Sequence, residues 1–189
     1  MKITNTYLDY AATTPVDHRV LKAMIPYFTE KFGNSVSLHN FGEETKKALE
    51  KTRLTIAKTL NAKNQNEIIF TSSATESNNL ALKGIAFANQ NKGKHIIISS
   101  IEHDCVLNSA KWLEKRGFKI TKIKVDKYGV INPKNVEKAI RKDTILVSII
   151  HGSNEIGTIK PIEQIGKICQ KKRSIFSYRC IPKFWKNTS

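Results

Sequence analysis

Cysteine is scarce in this sequence. Cys105, Cys169 and Cys180 are scattered and odd in number, and no two of them form a C-x-x-C pair. Neither a disulfide framework nor a zinc site is indicated, and no metal ligand set is expected. No apolar stretch approaches the length that spans a bilayer, and Met1-Lys2-Ile3-Thr4-Asn5 lacks the apolar core of a signal peptide. Neither a membrane partner nor export is expected, and a reducing, cytoplasmic setting fits the cysteine usage. Internal repeats and low-complexity segments are also missing. Acidic residues are few, 16 against 32 basic ones, which leaves a formal charge of +16 over 189 residues. Such a balance raises the question of nucleic acid, because a basic surface releases counterions from phosphate backbones. However, Lys46, Lys47, Lys51 and Lys58 share their stretch with Glu43, Glu44 and Glu50, and no aromatic residues interleave with a basic run. Solvated helix faces explain the charge, and no nucleic-acid partner is expected.

What is present is a globular composition, with 40% hydrophobic residues, and a regular alternation of patterns. A helix starts near Asp17 with Leu21, Met24, Ile25 and Phe28 on one face. A longer one runs from about Glu43 to Leu60 with Leu49, Ile56, Ala57 and Leu60 directed inward. Glu67 to Phe70 reads as a short buried strand and Asn79 to Asn89 as a helix. His95 to Ser99, Lys119 to Val125 and Thr144 to Ile150 read as strands, with a further strand beginning at Ser174. Between them fall helices over Val106 to Lys115, ended by Gly117, over Pro133 to Arg141, and over Pro161 to Lys172. This β–α alternation predicts an α/β fold with a mostly parallel sheet and helices on both faces. Ligands in such sheets bind beyond the carboxyl ends of the strands. Three polar clusters fall there: Ser72 to Thr75, Glu102-His103-Asp104, and His151-Gly152-Ser153-Asn154-Glu155.

The first cluster is central. In Thr71-Ser72-Ser73-Ala74-Thr75-Glu76-Ser77-Asn78-Asn79 an apolar run gives way to small hydroxyl residues at a helix start, where unpaired N–H groups suit a phosphate or carboxylate. Ser73 or Thr75 could equally be a plain helix cap supported by Glu76 or Asn78.

Five stretches, in this order, resemble the cysteine desulfurases of the class V aminotransferase group, which use pyridoxal phosphate on the type I fold. They are Tyr7-Leu8-Asp9-Tyr10-Ala11-Ala12-Thr13-Thr14-Pro15, Ser37-Leu38-His39, Ser73-Ala74-Thr75-Glu76-Ser77-Asn78-Asn79-Leu80-Ala81, Ser100-Ile101-Glu102-His103 and Asn154-Glu155-Ile156-Gly157. The resemblance runs to about Phe176, roughly the first half of a family member. It implies that Ala74 and Thr75 hold the cofactor phosphate, that His103 stacks on the pyridine ring and assists proton transfer, and that Asn154 hydrogen-bonds the ring hydroxyl oxygen. A flat, electron-poor ring wants an aromatic partner and a donor beside its phenolate oxygen. The resemblance further implies L-cysteine as substrate, a homodimer, and a sulfur-acceptor scaffold serving iron–sulfur cluster assembly or tRNA thiolation. A selenocysteine lyase, or a non-catalytic partner of an intact desulfurase, would share this half. The family usually has Gly where Ser73 stands, Pro-Ser where Ser35-Val36 stand, and Asn where Ser153 stands. Cys105 could be read as a nucleophile, but the family's sulfur-accepting cysteine lies far downstream and Cys105 reads better as a small buried helix residue.

After Phe176 the pattern breaks, and the residues from Ser177 to Lys186 read as neither helix nor strand. Back-translated with suitable synonymous codons and read one base later, they spell His-Thr-Asp-Ala-Tyr-Gln-Ser-Phe-Gly, the family's continuation. The expectation is a one-base frameshift near Phe176. The chain then divides into an N-terminal segment (1–15), a partial pyridoxal-phosphate-binding large domain (16–176) and an out-of-frame tail (177–189). On this reading Arg179 replaces the aspartate that pairs with the pyridine nitrogen. The Schiff-base lysine, the carboxylate-gripping arginine and the sulfur-accepting cysteine are not present, so a chain of this sequence is expected to be inactive alone and to expose a sheet edge.

Overall fold

The computed structural model of the protein describes residues 6–10 and 12–180. The stretch read for a signal peptide, Met1 to Asn5, and the end of the expected tail, Ile181 to Ser189, lie outside the described residues. Two compact units divide the chain, Met1–Phe70 and Thr71–Ser189.

In the first unit, α1 (His18–Met24) begins at Asp17, whose carboxylate accepts from the Arg19 amide at 2.8 Å. The short α2 (Pro26–Thr29) has its proline in the first turn, where no N–H is needed. The long α3 (Asn40–Thr59) is capped by His39, with Nδ1 accepting from the Gly42 amide at 3.4 Å. Two expectations fail here. Leu49 and Leu60 remain 41% and 49% exposed, and only Gly42 and Ala57 are buried along α3. A helix buries its apolar stripe only where another element covers it, and neither α1 nor α2 buries any residue of its own. Glu67 to Phe70 is not a strand either. Gln65–Glu67 is a 3-10 turn closed by a reciprocal cap between Asn64 and Glu67, and Ile69 beyond it is 67% exposed. Among the described residues no strand pairs with this segment, and apolar composition without a ladder partner does not make a strand. Its backbone is held instead by Arg53, whose guanidinium donates to the Ile68 carbonyl and lies 4.9 Å from the centre of the Phe70 ring.

The second unit carries the predicted α/β pattern. Its elements are α4 (Ala74–Ala88), β1 (His95–Ser99), α5 (Asp104–Glu114), β2 (Lys119–Ile123), α6 (Pro133–Ala139), β3 (Thr144–Ile150), α7 (Ile162–Lys171) and β4 (Ile175–Arg179). The strands form one sheet in the order β2-β1-β3-β4, and every pair is parallel. β1 and β3 are buried at every residue, as central parallel strands with helices on both faces must be. Successive side chains serve opposite faces. Ile96, Ile98 and Leu146 pack with Leu82 and Ala86 of α4 and with Val106, Ala110 and Leu113 of α5. Ile97, Val147 and Ile149 pack with Val136 of α6 and with Ile165 and Cys169 of α7. Gly117, at φ +84°, supplies the left-handed residue that turns the chain out of α5 into β2.

Residues Ser177 to Arg179, expected to form no element, complete β4 by pairing with Ser148, Ile149 and Ile150. Main-chain hydrogen bonds offered by the open edge of β3 accept this stretch whatever its side chains are.

His95 is a fully buried polar residue in the sheet, and its ring bridges three strands. Nδ1 meets Thr144 Oγ1 and Nε2 meets Thr121 Oγ1, each at 2.7 Å. Burial, then the nearby Arg141 charge, holds its pKa below the ordinary histidine value. The unfolded chain therefore takes up a proton below about pH 6.5 that the folded chain refuses. Stability is expected to fall as pH drops through that point, and less steeply in His95→Asn; urea melts from pH 5 to 8 with identical slopes for both would overturn this. Truncating the fully buried Leu82 to Ala should cost about 2–5 kcal/mol in the same melts.

Candidate functional site

The N-terminus of α4 is built by its own side chains. Ser73 is extended and its Oγ accepts from the Glu76 amide at 3.2 Å, so it is the helix cap. The Glu76 carboxylate folds back to accept from both the amide and the hydroxyl of Ser72 at 2.7 Å, and these bonds hold its pKa below the usual carboxylate value. The amides of Ala74 and Thr75 follow as first-turn donors with no partner inside the helix. Both residues are exposed. Capping and anion binding are thus compatible here, because the cap uses the Glu76 amide and leaves the two before it open.

His103 caps α5. Its Nδ1 accepts from the Cys105 amide at 3.2 Å and lies 3.1 Å from the Cys105 sulfur, so the proton of the neutral ring is assigned to Nε2. Cys105 is buried, in keeping with a packing role. Its sulfur also accepts from Asn78 Nδ2 at 3.3 Å, and Asn79 Oδ1 accepts from Ser109 Oγ at 2.9 Å. These bonds tie the first turn and a half of α4 to the start of α5.

Asn154 sits on a hairpin that follows β3. Gly152 and Ile159 pair antiparallel, the Ser153 amide donates to the Thr158 carbonyl at 3.0 Å, and Gly157 makes the turn at φ +71°. Ser153, where the resembling family has Asn, accepts from the Glu155 and Ile156 amides at 3.3 Å each. Asn154 is half-buried and donates to the Glu155 carboxylate at 2.7 Å.

Of the four residues singled out in the sequence, His103 and Asn154 line one cleft of about 300 Å³, together with Glu102, Asp104, Ile150 and Ser153. Ala74 and Thr75 are not in its wall; they connect to it through the Asn78–Cys105–His103 chain of contacts. Among the described residues no group of three or more His, Cys, Asp or Glu could hold a metal ion, and no helix is long and apolar enough to cross a membrane.

Two buried charged residues, Glu102 and Lys160, escaped the sequence reading as site components, and Arg179, which the resemblance had placed at the site, is half-buried. Glu102 is buried, and burial pushes its carboxyl above the usual range, opposed by hydrogen bonds from Ser99 and Ile150. Lys160 is buried, and its ammonium is pushed down by burial. Arg179, the last residue of β4, has its Nη1 buried with no hydrogen-bond partner among the described residues. Glu102 stood in a quoted motif, whereas no pattern in the sequence announces that a lysine after Gly157-Thr158-Ile159 is enclosed.

The aminotransferase class-V family model matches residues 6–178. Cysteine desulfurase IscS of Dictyoglomus turgidum is 56% identical over 165 residues, covering 87% of this chain and 42% of that protein. Cysteine desulfurase IscS of Methanosarcina thermophila is 52% identical over 170 residues, covering 90% and 42%. The chain therefore spans less than half the length of these curated relatives. Among solved structures, a NifS-like protein superposes with a TM-score of 0.90 at 40% identity, over 95% of this chain and 49% of that one. SspA, solved in complex with cysteine, superposes with a TM-score of 0.88 at 43% identity, over 92% and 50%. A match that runs through both units, and through all three polar clusters, establishes that this chain belongs to the class V aminotransferase family.

Proposed function

We propose that this chain is the N-terminal part of a pyridoxal-phosphate-dependent cysteine desulfurase, acting in the cytoplasm as part of a homodimer and passing sulfur toward iron–sulfur cluster assembly or tRNA thiolation. The observation that carries the reading is the shared cleft of His103 and Asn154 at the carboxyl ends of β1 and β3.

The residues present fit most of the cofactor. The open amides of Ala74 and Thr75 offer a phosphate two donors at the positive end of α4. His103 offers an imidazole face and, with Nδ1 engaged by Cys105, keeps Nε2 as the atom that can hold or pass a proton. Asn154 brings an amide donor from a hairpin whose turn is held by Ser153. When bound, the cofactor supplies the electron sink that lets the carbon–sulfur bond of L-cysteine break, leaving alanine. The fit fails at the end of β4. A cation stands at Arg179, where a protonated pyridine nitrogen needs an anion, and like charges repel. This misfit supports the reading of 177–189 as an out-of-frame tail after the partial large domain 16–176.

On this reading a polypeptide of only these 189 residues lacks the group that holds the cofactor covalently and the thiolate that takes the sulfur. It is expected to release no alanine from L-cysteine above a protein-free control containing pyridoxal phosphate. Cysteine-dependent alanine formation by the purified chain would overturn that expectation. Binding is best followed by calorimetry with pyridoxine 5′-phosphate, which has no aldehyde to condense with surface lysines. Ala74→Pro should weaken binding roughly tenfold or more, because proline at the first helical position removes a donor without disturbing the helix. Arg179→Asp should strengthen it. Unchanged affinity in Ala74→Pro would sink the phosphate seat, and weaker binding in Arg179→Asp would sink the charge argument.

A further inference from the structure

Glu102 stands immediately before His103 and lines the same cleft. It is only 6% exposed, and a single carboxylate oxygen, Oε1, accepts from Ser99 Oγ and from the Ile150 amide, each at 2.7 Å. Ser99 is the last residue of β1 and Ile150 the last of β3, so one oxygen fastens the two strand ends together at the mouth of the cleft. The ladder between these two strands does not reach this far: the β1–β3 register ends at the Ile98 and Ser148 pair. Ile150 is also the residue from which the Asn154 hairpin departs. The same hairpin returns at Lys160, whose amide donates to the His151 carbonyl at 2.7 Å. The Lys160 side chain is 1% exposed, and its Nζ and the second Glu102 oxygen, Oε2, both lack a hydrogen-bond partner among the described residues. An enclosed ammonium and an enclosed carboxylate each stabilise the other's charge, and the field of each opposes the effect of burial on its neighbour.

We infer that Glu102 is a positioning residue that anchors the Asn154 hairpin at its entry through the Ile150 amide and, with no direct ion pair, steadies its exit through the charge of the enclosed Lys160, and so sets the distance between Asn154 and His103. His103 follows Glu102 directly and caps α5, so a shift of the carboxylate moves both walls of the cleft at once. The inference concerns the geometry of the cleft and extends the cofactor reading, on which its binding arm rests.

The test is hydrogen exchange on the full 189-residue chain, with pyridoxine 5′-phosphate binding measured in parallel. Glu102→Ala should lower protection of the Ile150 amide roughly ten- to hundredfold while leaving the Ile97 amide protected. Glu102→Gln retains an acceptor oxygen at the Oε1 position and should rescue Ile150 protection to within about threefold. Lys160→Met should loosen the amide at position 160 roughly tenfold, and adding Glu102→Gln should bring no further loss, as coupled sites behave. Probe affinity should fall with Ile150 protection across the series and recover in Glu102→Gln. Unaltered Ile150 protection in Glu102→Ala overturns the inference, as does a Glu102→Gln variant as damaged as the alanine. Should Glu102→Ala fail to fold, the glutamine and methionine variants decide, and protection unchanged at position 160 in Lys160→Met then overturns it. A wild-type chain that shows the protection pattern but binds no probe defeats the cofactor reading and leaves the clamp standing.

Discussion

β1 and β3 lie side by side with all of their side chains enclosed, and the parallel ladder between them is the constraint from which the remainder of the second unit follows. Burial on both faces demands that α4 and α5 cover one side and α6 and α7 the other. Right-handed parallel connections then deliver every strand's carboxyl end to the same rim. The turn after β1 and the hairpin after β3 therefore meet without any contact having been selected for them one by one. Polar side chains are needed at that rim because the ladder between β1 and β3 has ended there. Ser99, Glu102 and the Ile150 amide supply each other's hydrogen bonds at the point where the main chain no longer can.

Much of this was legible in the sequence because periodicity reports burial. His95 to Ser99 and Thr144 to Ile150 are short apolar runs bounded by polar residues, and they are the strands β1 and β3 to the residue. Of the two cap residues the sequence offered for α4, Ser73 and Thr75, Ser73 takes the role. The failures share one cause. Ile68 to Phe70 and the apolar stripe of α3 have the composition of buried elements, but composition states only what a segment prefers, and a partner decides whether it is satisfied. Conversely, Ser177 to Arg179 lack a strand's pattern and are paired all the same, since the edge of β3 offers hydrogen bonds that ask nothing of side chains.

The site was partly legible in the same way. Motif residues His103 and Asn154 could be named, and Ala74 and Thr75 placed on a helix start, from spacing and resemblance. The enclosed charges could not. Lys160 reads as one more basic residue in a chain with a formal charge of +16, and nothing local tells it apart from the solvated lysines of α3. Its enclosure arises from the hairpin that returns it beneath the sheet rim, which is a property of topology.

The strand order also has a consequence for the growing chain. β1 sits between β2 and β3, although it is made before either of them. A nascent polypeptide can zip one flank of β1 once Ile123 has emerged, but the other flank stays open until Ile150 follows. For that interval a strand with three consecutive isoleucines presents an unsatisfied ladder to whatever is near, including other chains on the same messenger. Slow codons between those two points would lengthen the exposure, and a chaperone that shields three consecutive isoleucines would shorten it.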